Sequence, residues 1–288
     1  MGRWRTGAVQ LVGDVDLHAA ASFCAHDPVG SVLAASRIES ALAAGIERGG
    51  GSAWAVERDG RMVGLCWAGA NLVPVCHPDD DETLDALADA AARRGRRCSS
   101  IVGDSGVVLR IWDRLREDWP SPREIRADQP SLVIDRPPTV PADPAVRVAR
   151  PDELGVLMPA SVQMFIEEVG YSPLSGGSGA YEARVRSLLA AGHTYVRVED
   201  GPDGPETVFK ADLGAVSSRV AQVQGVWVAP RLRGRRISEH GMAAVVDQAL
   251  GRVAPVLSLY VNRYNTRALA SYLRVGFREV GRYATVLF

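Results

Sequence analysis

The stretch Val223-Gln-Gly-Val-Trp-Val-Ala-Pro-Arg-Leu-Arg-Gly-Arg-Arg-Ile-Ser238 passes from an apolar strand through a short basic turn into a helix. Where a strand meets a helix in this way, unpaired backbone N–H groups and the positive end of the helix dipole lie together. Such a point binds anions, and the forked donors of Arg233, Arg235 and Arg236 suit phosphate groups. The stretch therefore predicts a phosphate or pyrophosphate site at this turn.

Two segments downstream extend the pattern. Leu257-Ser-Leu-Tyr-Val-Asn262 is strand-like, and Asn265-Thr-Arg-Ala-Leu-Ala-Ser-Tyr-Leu-Arg-Val-Gly-Phe277 contains a helix closed by Gly276. In order and spacing, the three segments resemble the GNAT-type N-acetyltransferases. Arg233–Ser238 resembles their acyl-CoA-binding motif Arg/Gln-x-x-Gly-x-Gly/Ala, and the later segments resemble their fifth strand and their Asn…Ala…Tyr…Gly-Phe signature. The resemblance covers about residues 145–288, and the whole chain resembles bacterial GNAT proteins with an N-terminal domain of unknown function.

The resemblance implies an α/β (α+β) fold of two tandem GNAT-like domains. Each would have a mixed, mostly antiparallel central sheet flanked by helices. It also implies an acyltransferase that moves an acetyl group from acetyl-CoA to a primary amine by direct attack, without a metal. The implied partner is a small-molecule or peptide amine acceptor.

The family's binding mode implies which residues hold the cofactor. The pantetheine arm would bond to strand backbone, and the pyrophosphate would lie on the basic turn. The implied cofactor-binding residues are Val226, Trp227, Val228, Arg233, Gly234, Arg235, Arg236, Ile237, Ser238 and Asn265. This sequence has Arg236 where the family has its central Gly, and Ser238 where it has its final Gly or Ala.

Three residues are candidates for the chemistry. Tyr272 matches the family position that protonates the leaving thiolate, although a packed aromatic residue explains it equally simply. Glu167 and Glu168 end a predicted helix, where an exposed helix end is the plain alternative, and we expect Glu168 to bind or deprotonate the amine. The glycine-rich loop that follows, Gly170–Gly179, is a candidate lid over the acceptor.

A proline-rich segment divides the chain. It predicts a linker at residues 137–144, between an N-terminal domain at 1–136 and the acetyltransferase domain at 145–288. The first half repeats the order of helices and strands of the second. Where the second half has its basic turn, the first has Asp79-Asp-Asp-Glu82. Because acidic groups repel pyrophosphate, the N-terminal copy is predicted to be degenerate.

Composition narrows the function classes. The 288 residues carry 33 basic and 34 acidic side chains, and a net charge of −1 argues against a dedicated nucleic-acid binder. No apolar run is long enough to span a membrane, no signal-peptide core is evident, and the four cysteines match no zinc spacing. These features predict a cytoplasmic protein without a nucleic-acid or membrane partner, as a monomer or homodimer.

Two rival functions stay open at this stage. Tandem copies of the same fold also serve aminoacyl-tRNA-dependent transferases, and the departures at Arg236 and Ser238 favour a non-catalytic acyl-CoA sensor or interaction protein. One further residue stands out, because Lys210 is the single lysine of the chain. It predicts either a role that a planar guanidinium cannot fill or chance retention.

Overall fold

The computed structural model describes residues 9–13, 15–45, 50–175 and 179–288. The strands of these ranges are β1 (Gln10–Val12), β2 (Ser52–Arg58), β3 (Arg61–Ala68), β4 (Asn71–Cys76), β5 (Ser100–Asp104), β6 (Glu124–Ile134), β7 (Arg147–Val148), β8 (Thr194–Gly201), β9 (Gly204–Val216), β10 (Val220–Val228), β11 (Val256–Tyr260) and β12 (Arg278–Leu287). The helices of the same ranges are α1 (Leu17–Cys24), α2 (Val32–Ala44), α3 (Asp81–Arg94), α4 (Ser105–Leu115), α5 (Leu154–Val169), α6 (Gly179–Ala190), α7 (Ile237–Ala249) and α8 (Thr266–Val275).

Sequence patterns predict most of these elements, with three differences. The short strand β1 carries too few residues to show a period. The sequence pattern predicts a strand over Ser131–Asp135, whereas β6 begins at Glu124, because its first part pairs with β12 from Glu124 with Leu287 onward. The two strands predicted at the C-terminus form the single strand β12, which continues through two irregularities in its pairing with β6.

Within the described ranges, the strands form one continuous twelve-stranded sheet in the order β1-β2-β3-β4-β5-β12-β6-β11-β10-β9-β8-β7. Neighbours are antiparallel except for β4 with β5 and β10 with β11. This agrees with a mixed, mostly antiparallel sheet in each half. The two halves are related, because each contributes one parallel pair at the same place in its element order.

The last strands of the two halves are exchanged. Strand β12 pairs with β5 of the first half, and β6 of the first half pairs with β11 of the second. The two exchanged strands also pair with each other. The mixed, mostly antiparallel sheets of the two halves therefore join into one continuous sheet. The division at residues 137–144 stays a prediction, and the strand pairs of the described chain cross it.

Helices cover both faces of the sheet, and alternate strand residues meet them. In β2, Trp54 packs with α3 and α4, whereas Ala55 packs with α1 and α2. In β9, Phe209 packs with α7 and α8, whereas Val208 packs with α5. The period of two along each strand thus places two helices of each half on each face.

The proline-rich segment lies against the second half. Its backbone carries no helix or strand between residues 135 and 146. The Thr139 N–H donates to the Val275 carbonyl at 2.9 Å, and the Asp143 N–H donates to the His240 carbonyl at 3.0 Å. The Asp143 carboxylate also pairs with Arg197 at 2.8 Å. These bonds attach the segment to α7, α8 and β8.

The acidic run of the first half begins a helix, as the sequence predicts. Asp80 is the N-cap of α3, and its side chain accepts from the Thr83 N–H at 3.2 Å. Arg58 pairs with the same carboxylate at 2.8 Å. This hydrogen-bonded ion pair lowers the pKa of Asp80. These acids therefore support the fold of the first half.

Candidate active site

Strands β10 and β11 separate along their length. They pair only from Val220 with Val256 to Gln222 with Ser258, and the rest of β10 has no strand partner on that side. A cleft of about 800 Å³ opens beyond the last pair, between β10, the basic turn and α8. We call it the large cleft. It is lined by these predicted site residues: Val226, Trp227, Val228, Arg233, Gly234, Arg236, Ile237, Ser238, Asn265, Tyr272 and Glu167.

A bulge in β10 accompanies the separation. The pairing with β9 shifts register between Gln224 and Trp227, and Gly225 has φ +59°, in the left-handed region. A Cβ at Gly225 would lie 2.9 Å from the Met164 sulfur and 3.0 Å from the Asp212 Oδ2 atom. Glycine is therefore required here for both its backbone angle and its size.

The basic turn leaves the start of α7 open to a ligand. Helix α7 begins at Ile237 without a side-chain cap, so its first N–H groups are available to an anion. Arg236 precedes it with φ +62°, a conformation that normally favours glycine. Arg236 thus takes a left-handed conformation at the position where the family motif has its central glycine. The Arg236 guanidinium does not point at the turn, because it pairs with Glu239 at 2.8 Å.

Carboxylates hold two of the other arginines that line the large cleft. Arg233 pairs with Glu167 at 2.7 Å and donates from Nε to the Val228 carbonyl at 3.0 Å. Arg274 pairs with the buried Glu239 at 2.7 Å, which lowers the pKa of Glu239. Arg235 is exposed and does not line the cleft. The predicted arginines therefore have different surroundings, and only Arg233 reaches across from the turn to α5.

Tyr272 lies at the inner end of the large cleft. Its ring is buried and packs edge-on against Phe277, with 6.1 Å between the centroids. Its hydroxyl has no hydrogen-bond partner among the described residues, and the side chain lines the cavities on both sides. Burial, helped by the charge of Glu168, raises the pKa of Tyr272 above its ordinary value. The tyrosine is therefore a neutral proton donor near neutral pH.

A second space adjoins the large cleft, between α5, β10 and β11. It consists of two adjoining cavities of about 320 and 250 Å³, and we call it the side chamber. Tyr272 and Glu167 line both the large cleft and the nearer cavity, so the two spaces meet there. Glu168 lines both cavities of the side chamber.

The negative charge of Glu168 affects the pKa of several tyrosines that line the chamber. Burial is the main cause that raises the pKa of Tyr181 and of Tyr260 to about 12, and Glu168 adds to it in both. The Tyr181 hydroxyl donates to the Ser161 carbonyl at 2.8 Å. The two adjacent glutamates thus have different contacts. Glu167 pairs with Arg233 of the basic turn, and Glu168 lines the side chamber.

The first half supplies part of the chamber wall. Strand β6 brings in Gln129, whose amide nitrogen donates to the Asn262 side chain at 2.9 Å. It also brings Arg126, which donates to the Glu168 carbonyl at 2.7 Å and lies 3.6 Å from the Glu168 carboxylate. The exchange of strands therefore places first-half residues directly at the candidate site.

The single lysine is buried beside the bulge. Lys210 is 1% exposed, and its Nζ lies 2.5 Å from Asp212 Oδ2 and 3.4 Å from the Gly225 carbonyl oxygen. The other Asp212 oxygen accepts from the Thr194 hydroxyl at 2.9 Å. The pair thus connects β9 to the bulge of β10. A guanidinium is broader and differently shaped, which gives a physical reason for lysine here.

The sequence predicts more of the residues that line the large cleft than of those that line the side chamber. Asn265 lines the cleft, but its side chain also caps α8 by accepting from the Ala268 N–H at 3.2 Å. Arg267 was missed, although it lies between Asn265 and Tyr272 on α8 and lines the cleft. Asp212 and Arg184 were missed because no local pattern connects them to the motif. The proposed lid at Gly170–Gly179 falls partly on residues 176–178, outside the described ranges.

Two family models match the chain. The model described as "Acetyltransferase (GNAT) family" matches residues 190–277, which include β10, the basic turn and Tyr272. A model described as a domain of unknown function, DUF4081, matches residues 51–157 and runs through the proline-rich segment. No curated protein sequence matches the chain.

Several solved structures share the fold. A GCN5-related N-acetyltransferase from Sphaerobacter thermophilus is similar with TM-score 0.61 at 18% identity, over 96% of this chain and 94% of that one. A GNAT-family acetyltransferase from Colwellia psychrerythraea has TM-score 0.56 at 10% identity, over 97% and 99%. A tandem GNAT protein from the clavulanic acid biosynthesis pathway has TM-score 0.53 at 14% identity, over 97% and 98%. Family match and fold together support acyl transfer as the general chemistry.

Among the described residues, no helix combines the length and the apolar character that crossing a bilayer requires.

Proposed function

We propose that this chain, which carries a GNAT acetyltransferase domain behind an N-terminal DUF4081 domain, transfers an acetyl group from acetyl-CoA to a primary amine. The observation that supports the proposal is the meeting of two spaces at Tyr272. The large cleft reaches this residue from the basic turn, and the side chamber reaches it from Glu168. A donor in the large cleft and an acceptor in the side chamber would meet there.

The residues of the large cleft fit acetyl-CoA. Unpaired backbone of β10 offers hydrogen bonds to the pantetheine amides, and the open start of α7 offers N–H groups to the pyrophosphate. Arg233 and Arg267 add positive charge along the same cleft. When bound, acetyl-CoA supplies an acyl carbonyl activated as a thioester.

The chain's own residues then account for orientation and for two proton transfers. The amine nitrogen forms the new C–N bond while the C–S bond of the thioester breaks. Glu168, directly or through water, takes the proton that the nitrogen gives up. The Tyr272 hydroxyl gives a proton to the departing sulfur. Proton exchange with solvent then returns Glu168 to its carboxylate and Tyr272 to its phenol, so that protons and charges balance and no covalent intermediate on the protein is required.

Replacing Arg233 by Ala is expected to weaken acetyl-CoA binding by about tenfold or more, because one charge-assisted contact to phosphate is lost. Calorimetric titration with acetyl-CoA, and with CoA, measures the change. The matched control is Arg235→Ala, which removes the same charge from the same turn at a side chain outside the cleft. It should change the Kd by much less.

Equal effects of the two variants would show that the turn attracts phosphate only through its total charge. If the wild type does not bind acetyl-CoA, the proposal is wrong and Arg236 obstructs the turn. Binding without turnover across many amines would favour the non-catalytic acyl-CoA sensor, because the Arg233–Glu167 pair would then hold the cleft in an unproductive form.

Replacing Glu168 by Gln is expected to lower kcat by about 10²-fold, at the lower end of what general bases contribute, because the exposed site lets water substitute. Steady-state thiol release from acetyl-CoA, with saturating amine, measures it. The matched control is Glu167→Gln, which should change acetyl-CoA affinity more than kcat, because Glu167 contacts Arg233. An unchanged kcat for Glu168→Gln would remove Glu168 from the mechanism.

A further inference from the structure

Arg184 is a positively charged side chain that lines the side chamber. It projects from α6 and lines the outer cavity together with Tyr181, Asp212 and Gln224. Its Nη2 lies 3.4 Å from the Gln224 side-chain oxygen. Among the described residues it makes no ion pair, although its guanidinium is within reach of a ligand in the cavity.

The acids around the chamber already have partners. Glu168 lies 3.6 Å from Arg126, and Asp212 lies 2.5 Å from Lys210. Glu167 pairs with Arg233 at 2.7 Å. Each of these acids thus lies near a cation other than Arg184, although Arg126 pairs more closely with Glu124, at 3.0 Å, than with Glu168. Arg184 itself is in no ion pair among the described residues.

The positive charge of Arg184 also acts on a guanidinium of the first half, Arg37, which does not itself line the chamber. Arg37 is on α2, and its neighbour Glu39 fixes that helix to the second half through the Ser218 N–H at 2.7 Å and the Ser218 hydroxyl at 2.9 Å. Partial burial and the positive charge of Arg184 lower the pKa of Arg37. Two like charges held together favour an anion between or beside them.

We propose that the side chamber takes an amine acceptor that also carries an anionic group, a carboxylate or a phosphate, which Arg184 binds. The inference rests on the proposed function and names the class of its acceptor. The amine end would lie toward Glu168 and Tyr272, and the anionic end toward α6. Phe165 and Tyr181 pack edge-on with 5.4 Å between their centroids, and they leave apolar wall for the body of the acceptor between the two ends.

The experiment compares matched amines on the full-length protein saturated with CoA. Glycine, γ-aminobutyrate and phenylalanine are each titrated against methylamine, propylamine and phenethylamine, and phosphoethanolamine against ethanolamine. We expect at least one anionic amine to bind about tenfold or more tightly than its neutral counterpart, as a charge-assisted contact implies. A larger ratio for phosphoethanolamine than for the amino acids would identify phosphate as the natural group, and the reverse would identify carboxylate.

Charge reversal supplies the decisive variant. Arg184→Glu should abolish the preference for the anionic amine, and Arg37→Glu should reduce it. The matched control is Arg186→Glu on the same helix, whose side chain instead pairs with Glu182 at 2.6 Å and does not line the chamber. It should keep the preference.

Equal binding of anionic and neutral amines by the wild type would overturn the inference, as would equal losses in the Arg184 and Arg186 variants. The titration measures binding of the amine and does not depend on catalysis. Selective binding of an anionic amine without any acetyl transfer would refute the proposed function and leave the subsite standing. Acetyl transfer to neutral amines as efficient as transfer to anionic amines would support the proposed function and refute the subsite.

Discussion

Replacing Tyr272 by Phe is expected to lower kcat for acetyl transfer by about 10²- to 10⁴-fold, the range that a positioned general acid contributes. The change removes one hydroxyl that has no partner among the described residues and that faces the meeting point of the two spaces. The ring would keep its packing on Phe277. Thiol release at saturating substrates measures kcat, and calorimetry should show an unchanged Kd for acetyl-CoA.

The pH dependence separates Tyr272 from other groups. Because burial raises its pKa above the ordinary value of 10.0, the hydroxyl stays protonated throughout the neutral range. Deprotonation of Tyr272 should therefore not lower the wild-type kcat below about pH 10. Any alkaline decline of kcat in that range should also be seen in Tyr272→Phe. The matched control is Tyr195→Phe, a buried tyrosine of the same half that lies outside both spaces. A full kcat in Tyr272→Phe would leave Tyr272 as a packing residue.

Replacing Lys210 by Met is expected to lower the free energy of unfolding by about 3–5 kcal/mol, the usual cost of removing one partner from a buried ion pair. Asp212 would keep only the Thr194 hydroxyl as a close donor, and the Gly225 carbonyl would lose its contact. Urea unfolding followed by circular dichroism, at neutral pH, measures the change. Because the bulge lines the chamber, acceptor KM should rise as well.

A double-mutant cycle tests whether the loss arises from the pair. Lys210→Met with Asp212→Asn leaves no unpaired buried charge, so the double variant should lose less stability than the two single losses add up to. Lys210→Arg keeps the charge but not the shape, and it should also be destabilised. If Lys210→Met is as stable as the wild type, the lysine is retained by chance.

The exchange of β6 and β12 brings residues of the first half to the proposed active site. Strand β6 carries Gln129 to the chamber and places Arg126 beside Glu168, which lines it. The first half thus supports the acceptor side of the proposed site, while the acidic run of that half caps α3. The two halves are connected through the sheet as well as through the chain.

Local sequence determined the strand, basic turn and helix around Arg233, the position of Tyr272 and most helix ends. These features depend on short-range physics: backbone angles, unpaired N–H groups at a helix start, and the periods of apolar side chains. Even Arg236, which departs from the family's glycine, keeps the left-handed backbone that the turn requires.

Only the tertiary structure decided the rest. The sequence places Glu167 and Glu168 side by side at a helix end, and only the structure shows that Glu167 contacts Arg233. The charge of Arg184 acts on Arg37 of the other half, and the exchanged strands pair across the predicted linker. Such contacts arise from long-range packing of the whole sheet, and no spacing within a short segment encodes them.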